Sequence, residues 1–331
     1  MRVLGFGEVV LRLTPPERQQ LAAASVLEVH VGGCEANVMA GISGMGIQSR
    51  MLAALPEHGL GDLAVRSLRA SGIEVADVRL PHRLGTYYCE TGFGARPSQV
   101  VYDRADSAIT HLKLADLDLD ALFADCDWFY ISGITLALSP STQALAFELA
   151  DEAQRRGLKL AFDVNFRSKL WDYSTAKPVL ARMASRADLL LAAAADLAGL
   201  FGIALQDNTA AGLLDGWRLL AQKIGPRHFA ATRRIVLSTS TNRYQGCVLL
   251  ADGSSGVSRE YDMEILERVG GGDAFAAGVL YAILQGETAQ TAADYATAAA
   301  VLKHTLPGDH ALLLPEAVRR MAANGSAVMQ R

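Results

Sequence analysis

The chain has 331 residues, half of them apolar, and a formal net charge of −4. Its length suits one large α/β domain or one domain with a small appendage, and no basic run is dense enough to bind nucleic acid. The four cysteines are scattered without a CxxC pair, which argues against a zinc site or a disulfide framework and favours a reducing compartment. No apolar stretch reaches the roughly 18 uncharged residues of a membrane span, so we expect a soluble, cytoplasmic protein without a membrane partner.

Apolar and alternating patterns predict both strands and helices in the first 104 residues. The strands are expected at 2–7, 9–13, 25–31, 48–54, 85–91 and 99–102, and the helices at 35–45 and 61–71. Apolar residues alternate with charged ones over 9–13, so one face of that strand is expected to meet solvent. The strands within 9–31 and 84–104 do not fit a strand–helix rhythm. They predict a small separate β-sheet that acts as a lid.

From residue 127 onward, strands and helices alternate. Strands are expected at 128–132, 159–163, 188–192, 234–238, 244–251 and 258–261, and helices at 141–156, 176–184, 196–201, 210–223, 273–284, 289–303 and 315–323. This alternation is typical of a doubly wound, mostly parallel sheet flanked by helices. We therefore predict a single α/β domain over 1–331 that carries the lid.

The most informative segment is Val269-Gly270-Gly271-Gly272-Asp273, which leads into an alanine-rich helix. Glycine lets backbone N–H groups turn toward an anion, and the helix N-terminus adds positive partial charge. Asp273 would then lie where a phosphate arrives, a position that suits a group taking a proton from an attacking hydroxyl. The alternative is that Asp273 only caps the helix after a flexible turn.

Two further polar clusters are expected where open α/β sheets bind ligands, beyond the carboxyl ends of strands. Paired glycines at 32–33 allow a ligand to approach closely, and Asn37 can bond its hydroxyls. Asp163, Asn165 and Arg167 would point to one side of an extended segment, where Arg167 offers a bidentate fork for carboxylate or phosphate. The structural alternatives are an ordinary strand–helix turn and an exposed loop with an internal Asp–Arg pair.

Lid and C-terminal residues add two weaker signals. Tyr102 and Arg104 end a lid strand, where Arg104 would be a second guanidinium or simply part of an edge-strand ion pair. His304 ends a late helix, where it either faces the site or complements the helix dipole. The chain has no P-loop motif, and Gly5-Phe6-Gly7 lacks the third glycine of a dinucleotide fingerprint.

Together these residues resemble the ribokinase-like (PfkB) carbohydrate kinase family, and within it they are most similar to the 2-keto-3-deoxygluconate kinases. The resemblance spans essentially the whole chain and is carried, in family order, by segments at 7–13, 32–38, 101–108, 162–171, 268–273 and 303–309. It implies a ribokinase-like fold and phosphoryl transfer from ATP to a sugar hydroxyl, with Mg²⁺ bridging the nucleotide phosphates. It also implies a homodimer through the lid, which agrees with the apolar face predicted for strand 9–13.

The resemblance implies roles for individual residues. Asp273 would be the catalytic base, and Gly270, Gly271 and Gly272 the anion hole for the transferring phosphoryl group, with Arg167 touching the same phosphate. The residues that would bind the sugar are Gly32, Gly33, Asn37, Tyr88, Tyr102, Arg104, Asn165, Arg167, Asp273 and Asp309. Those that would bind the nucleotide are Ser238, Ser240, Gly270, Gly272 and His304.

Three positions depart from the family pattern. An Asn-x-x-Glu motif tied to Mg²⁺ reads Ala193-Ala194-Ala195-Asp196, so Asp196 is the candidate metal ligand. The resemblance makes a monovalent cation a further candidate cofactor. Glu267 stands where an Asp is common near the site of that cation. A Ser/Thr/Asn-rich turn over 236–242 takes the place of a Gly-x-x-Gly nucleotide turn.

The leading hypothesis is ATP-dependent phosphorylation of a primary hydroxyl of 2-keto-3-deoxygluconate, which gives the 6-phosphate. A sugar acid carries a carboxylate that a neutral hexose lacks, and one or two arginine forks would be needed to satisfy it. Two alternatives stay open: a kinase for another sugar such as fructose, and a catalytically weakened sugar- or nucleotide-binding protein.

Overall fold

The computed structural model describes residues 1–207, 209–225 and 227–325, and two β-sheets form its framework. The strands are β1 Arg2–Phe6, β2 Val10–Thr14, β3 Glu28–Gly32, β4 Gln48–Pro56, β5 Glu74–Leu80, β6 Gly85–Glu90, β7 Gln99–Asp103, β8 Trp128–Ser132, β9 Lys159–Asp163, β10 Leu189–Leu191, β11 His228–Val236, β12 Thr241–Leu249, β13 Ser255–Val257 and β14 Tyr261–Glu264. The helices are α1 Cys34–Gly44, α2 Gly59–Ala70, α3 Leu119–Phe123, α4 Gly133–Leu136, α5 Pro140–Arg155, α6 Tyr173–Ala184, α7 Ala194–Phe201, α8 Ala210–Ile224, α9 Gly271–Leu284, α10 Ala289–Lys303 and α11 Pro315–Asn324.

The larger sheet is mostly parallel. Parallel strands run in the order β5-β4-β1-β8-β9-β10-β11, and antiparallel β12 extends that edge together with β13 and β14. Helices cover both faces of the parallel part, so its central strands are buried on both sides and read as continuous apolar runs. The predicted doubly wound α/β architecture is confirmed.

The smaller sheet is the lid that the sequence predicts. Its strand order is β3-β2-β6-β7, so two separate stretches of chain build it. β2 pairs antiparallel with β3 and parallel with β6, while β6 pairs antiparallel with β7. Tyr87 and Tyr102 of the lid line the same cavity as the loops of the larger sheet. The lid therefore covers one edge of that sheet.

Close helix packing explains the small residues of the C-terminal half. α9 is buried on nearly every side and packs against α10. A Cβ at Gly278 would lie 2.7 Å from the Cα of Ala296, so only glycine permits this approach. Within the described residues, no helix combines the length and the apolar character needed to cross a membrane.

The prediction of a solvent-facing side for the strand over 9–13 is wrong. Arg12 of β2 is fully buried, and Leu11 on the opposite face is only 5% exposed. The Arg12 guanidinium is neutralised by Glu267 and Asp309, which lie 255 and 297 residues further along the chain. Spacing within the strand cannot reveal such distant partners, so a charged residue was interpreted as a solvated one.

Three strand predictions also need correction. β5 was not predicted, because its side chains are all at least partly exposed and give a weak apolar signal. β11 begins at His228 rather than at residue 234, because Arg233 and Arg234 interrupt its apolar pattern. The strand expected at 258–261 falls between β13 and β14 and shares only Tyr261 with β14.

Candidate active site

A cavity of about 960 Å³ lies between the lid and the carboxyl ends of the parallel strands. Its walls come from the lid, the start of α1, the segments after β9 and β10, the strand β11 and the first turn of α9. Open parallel sheets bind their ligands at this edge. The glycine run and the polar clusters of the sequence therefore meet in one place.

Asp273 lies in the first turn of α9, and two side chains hold its carboxylate. Asn37 Nδ2 donates to Oδ2 at 2.7 Å, and Cys34 Sγ donates to Oδ1 at 3.3 Å. Burial raises the pKa of Asp273, while the bonds from Asn37 and Cys34 and the charge of Arg167 lower it. The result is a fixed carboxylate in a water-poor setting, which can accept a proton more readily than an exposed one.

The three glycines before Asp273 are needed for different reasons. Gly270 precedes α9 with φ +81°, and a Cβ there would collide with the Asp309 carbonyl oxygen. A Cβ on Gly271 would collide with the His304 ring. A Cβ on Gly272 would meet no atom within 4 Å, because Gly272 lines the open cavity. The α9 N-terminus can therefore present bare backbone N–H groups to an anion.

His304 supports this glycine run from below. Its Nδ1 lies 2.7 Å from the Ala300 carbonyl oxygen, so Nδ1 carries the proton and Nε2 keeps its lone pair. Burial lowers the pKa of His304, which favours the neutral ring. Its ring also contacts Tyr244 edge-on, with 5.7 Å between centroids. His304 lines the cavity as a neutral group.

The start of α1 and the segment after β9 form the opposite wall. Gly33 has φ +133°, and a Cβ there would collide with the Glu8 carbonyl oxygen. Asn165 has φ +36° and donates from Nδ2 to Cys34 Sγ at 3.1 Å. Asn165, Cys34 and Asp273 thus form one hydrogen-bonded chain along the cavity wall.

A buried ionic network ties the lid to the C-terminal loop. Arg12 donates from Nε to Asp309 Oδ1 and from Nη1 to Glu267 Oε2, both at 2.7 Å. Tyr87 donates its hydroxyl to Asp309 Oδ2 at 3.1 Å. Lys303 is also buried here, with Nζ 3.1 Å from the Leu306 carbonyl oxygen, and burial lowers its pKa. Asp309 is therefore held by lid residues, consistent with a site-closing contact.

Two arginines reach the cavity in different states. Arg104 is paired with the buried Glu8 through Nε and Nη2, and Ser107 Oγ donates to the other Glu8 oxygen at 2.5 Å. Its third guanidinium nitrogen, Nη1, has no hydrogen bond within the described residues. Arg167 is exposed and forms no ion pair with any described residue. Both line the cavity, so two guanidiniums can meet an anionic ligand.

Two further carboxylates face the cavity near Asp273. Burial, followed by repulsion from Asp273 and Asp196, raises the pKa of Asp163 to about 8. Burial raises the pKa of Asp196 to about 6, although its Oδ2 accepts the Ala193 N–H at 2.8 Å. A nearby cation would favour ionisation of these crowded carboxylates, and Mg²⁺ is a hard divalent cation that prefers oxygen ligands. Asp163 and Asp196 therefore suit Mg²⁺.

Comparison with known proteins places the chain in a family. Residues 2–316 match the family described as "pfkB family carbohydrate kinase". The chain belongs to this family. It is therefore a carbohydrate kinase, a phosphotransferase whose acceptor is a sugar hydroxyl.

Several relatives are similar over nearly their full length. The kinase is 34% identical to the 2-dehydro-3-deoxygalactonokinase of Haloferax volcanii over 328 residues, and this alignment covers 98% of each chain. It is 33% identical to the crystal structure of 2-dehydro-3-deoxygluconokinase from Thermotoga maritima, with a TM-score of 0.95, covering 98% of this chain and 100% of that one. The 2-dehydro-3-deoxygluconokinase of Thermoproteus tenax is 26% identical over 317 residues, covering 94% and 90%.

Most of the site residues predicted for the kinase line this cavity. They are Gly33, Asn37, Tyr102, Arg104, Asn165, Arg167, Asp196, Gly270, Gly272, Asp273, His304 and Asp309. Five others are not among the described lining residues: Gly32, Tyr88, Ser238, Ser240 and Gly271.

Gly271 packs against the His304 ring, and the other four lie elsewhere. Gly32 packs beneath Asp309, and a Cβ there would collide with that carboxylate. On β6 the lining residues are Tyr87 and Cys89, so Tyr88 between them faces the other side of the lid because side chains alternate along a strand. Ser238 and Ser240 lie in the turn between β11 and β12, where Ser240 Oγ accepts the Gly94 N–H of the lid at 3.1 Å.

Sequence reasoning missed a basic wall of the kinase. Arg233 and Arg234 belong to no predicted cluster of site residues, but both line the cavity, together with Arg268. Burial and the charge of Arg234 lower the pKa of Arg268, so these two guanidiniums lie near each other. Their position near the carboxyl end of a central strand was the available signal, but the late predicted start of β11 obscured it.

Proposed function

We propose that this kinase transfers a phosphoryl group from ATP to the primary 6-hydroxyl of a 2-keto-3-deoxy sugar acid. Relatives are named for 2-dehydro-3-deoxygluconate and for 2-dehydro-3-deoxygalactonate, which differ only in configuration at C4. The observation that carries the proposal is that the half-buried Asp273 shares one cavity with Arg104 and Arg167. A proton acceptor and two carboxylate-binding groups are what a sugar-acid kinase requires.

Asp273 is the proposed base for the sugar hydroxyl. The hydrogen bond from Asn37 fixes one carboxylate oxygen and that from Cys34 the other. Because burial raises its pKa, the ionised carboxylate is a stronger proton acceptor than a solvated one. The backbone N–H groups at 270–272 and the α9 dipole would stabilise charge on the transferring phosphoryl group.

Arginines are the proposed partners of the sugar carboxylate. Nη1 of Arg104 has no hydrogen bond within the described residues, and the Tyr102 ring lies 5.7 Å from its guanidinium carbon. Arg167 lies close enough to Asp163 and Asp273 for its charge to lower the pKa of both, which supports a role near the reacting groups. Gly33 and the amides of Asn37 and Asn165 are the proposed contacts to the sugar hydroxyls.

The nucleotide would bind along β11 and the end of α10. Arg234 and Arg268 lie near each other without a carboxylate partner within the described residues, and phosphate oxygens would relieve their repulsion. His304 and Gly272 line the cavity, whereas Ser238 and Ser240 lie in the turn after β11, outside its described lining. When bound, Mg²⁺ would neutralise phosphate charge, with Asp163 and Asp196 as its oxygen donors.

The residues near Glu267 do not fit a monovalent cation. One Glu267 oxygen accepts from Arg12 at 2.7 Å, and the other accepts the backbone N–H groups of Arg268 and Val269 at 2.8 and 3.1 Å. Both oxygens are therefore occupied by donors of the chain itself. We assign no step to a monovalent cation.

A phosphorylation screen tests the substrate class. ADP release is measured with both 2-keto-3-deoxy acids and with fructose, with and without Mg²⁺, and the product is located by ³¹P NMR. The proposal expects Mg²⁺-dependent turnover with at least one sugar acid, a 6-phosphate product and far weaker turnover of fructose. A preference for fructose would contradict the sugar-acid assignment, and no ADP release from any sugar would favour a binding protein.

Assembly and location follow as further proposals. We propose that the whole chain acts as one unit whose lid pairs with that of a second copy. Val29 and Val101 of the lid are 51% and 54% exposed, and Phe93 is 56% exposed. Pairing of two lids would cover these apolar side chains. All four cysteines are free thiols, which agrees with a cytoplasmic location. A monomer mass at micromolar concentration in sedimentation would contradict the dimer.

A further inference from the structure

Two histidines and an aspartate meet at the base of the lid, away from the cavity described above. The imidazole rings of His82 and His111 are stacked, with 3.5 Å between centroids and 4° between planes. His111 Nε2 lies 2.6 Å from Asp106 Oδ1. One ligand atom from each of the three residues lies within 4.8 Å of the others. None of the three lines the cavity within the described residues.

These residues occupy the two segments that connect the lid hairpin to the body of the kinase. His82 lies between β5 and β6, whereas Asp106 and His111 follow β7. The same segments already meet through the backbone, because Ala108 N–H donates to the Arg83 carbonyl oxygen at 2.9 Å. A ligand shared by the three side chains would therefore join both ends of the hairpin.

The chemistry of the three donors suits a borderline divalent cation. Two imidazole nitrogens and one carboxylate oxygen are a typical ligand set for Zn²⁺, whose bonds of about 2.0–2.1 Å place tetrahedral ligands about 3.3 Å apart. An imidazole nitrogen binds a metal in the plane of its ring, so one of the two stacked histidines has to turn out of the stack before both can hold the same ion. His82 and His111 are half-buried and Asp106 is exposed, which leaves room for that turn. The neighbouring charge of Arg83 is neutralised by Asp103, with Nη1 2.6 Å from Oδ1.

We propose that His82, Asp106 and His111 form a structural site for a divalent cation of the Zn²⁺ type that braces the base of the lid. Water would complete the fourth position. The scattered cysteines argue against a cysteine zinc site, but this site uses none of them. It does not depend on the proposed substrate, because no residue of the phosphoryl-transfer cavity belongs to it.

Metal binding is tested on the full-length protein with Zn²⁺ in the presence of excess Mg²⁺, which keeps the oxygen donors of the active site occupied. Bound zinc per chain is measured by equilibrium dialysis, and the melting temperature is followed as Zn²⁺ is added. The proposal expects one zinc per chain and a saturable rise in melting temperature. Co²⁺ should give the visible absorption of a four-coordinate nitrogen and oxygen site.

Variants separate this site from the rest of the kinase. His111→Ala and Asp106→Asn should lose the bound zinc and the thermal shift while keeping kinase turnover and the metal-free melting temperature. The control His30→Ala removes a histidine elsewhere on the lid and should keep the bound zinc and the thermal shift. Equal zinc binding by wild type and the His82→Ala/His111→Ala double variant, or no zinc on the wild type, would overturn the proposal. Loss of turnover in every protein tested would instead challenge the proposed function.

Discussion

Cys34 donates a hydrogen bond to the proposed base, and this bond lowers the pKa of Asp273. The thiol itself stays protonated, because burial and then the charge of Asp273 raise the pKa of Cys34. Thus the thiol acts on the reaction only through the base, as a positioning residue. The acid limb of the kcat/KM profile should reveal this, since it reports the ionisation of an essential base in the free enzyme.

Cys34→Ala should move the acid limb of kcat/KM to higher pH, because losing the donor raises the pKa of Asp273 further and the base must be ionised to act. Cys34→Ser keeps a donor at the same place and should leave the limb near its wild-type position. The measurement is kcat/KM for the sugar acid across pH with all three proteins. Superimposable profiles for wild type and Cys34→Ala would show that the thiol does not tune the base.

Substitutions of Arg104 and Arg167 should affect stability differently, although both arginines line one cavity. Arg167 is exposed, so Arg167→Gln should leave the melting temperature unchanged. Charge-assisted hydrogen bonds contribute about 1.5–3 kcal/mol, so its kcat/KM for the sugar acid should fall about tenfold to hundredfold. Arg104→Ala leaves Glu8 buried without its partner and should lower the melting temperature as well. Equal melting temperatures for the two variants would contradict this distinction.

At the scale of elements, β2 of the lid is held to the body of the kinase by charge. Arg12 is fully buried between Asp309 and Glu267, and Tyr87 completes the network from β6. A buried ion pair that loses one partner leaves an uncompensated charge in a water-poor setting. The lid is thus anchored by a network whose members cannot be removed singly at low cost.

Arg12→Met should lower the free energy of unfolding by about 3–5 kcal/mol, because Asp309 and Glu267 then lose their common cation. The control is Arg243→Met, which breaks the exposed pair with Asp262 and should cost less than about 1 kcal/mol. Chemical denaturation of both variants provides the comparison. An Arg12→Met variant as stable as Arg243→Met would show that the network does not anchor the lid.

For the whole molecule, the sequence predicts the parallel sheet and the glycine run well because both are local signals. β8 and β9 are buried on both faces and were predicted with their observed bounds. The exposed edge strand β5 was missed because its pattern is weak. Arg12 was expected to face solvent, and Arg234 was not among the predicted site residues, because the surroundings of both come from distant parts of the chain, which no local pattern records.

The central claim is that Asp273, in the cavity between the lid and the larger sheet, is the base that takes the proton of the sugar hydroxyl. The direct measurement is ADP release by Asp273→Asn with the sugar acid and Mg²⁺, together with sugar-acid binding by calorimetry. A general base contributes about 10²–10⁴-fold, so turnover should fall by that amount. Sugar binding should stay near its wild-type level, because Asn keeps the size and polarity of the side chain. Turnover within about tenfold of wild type would contradict the account.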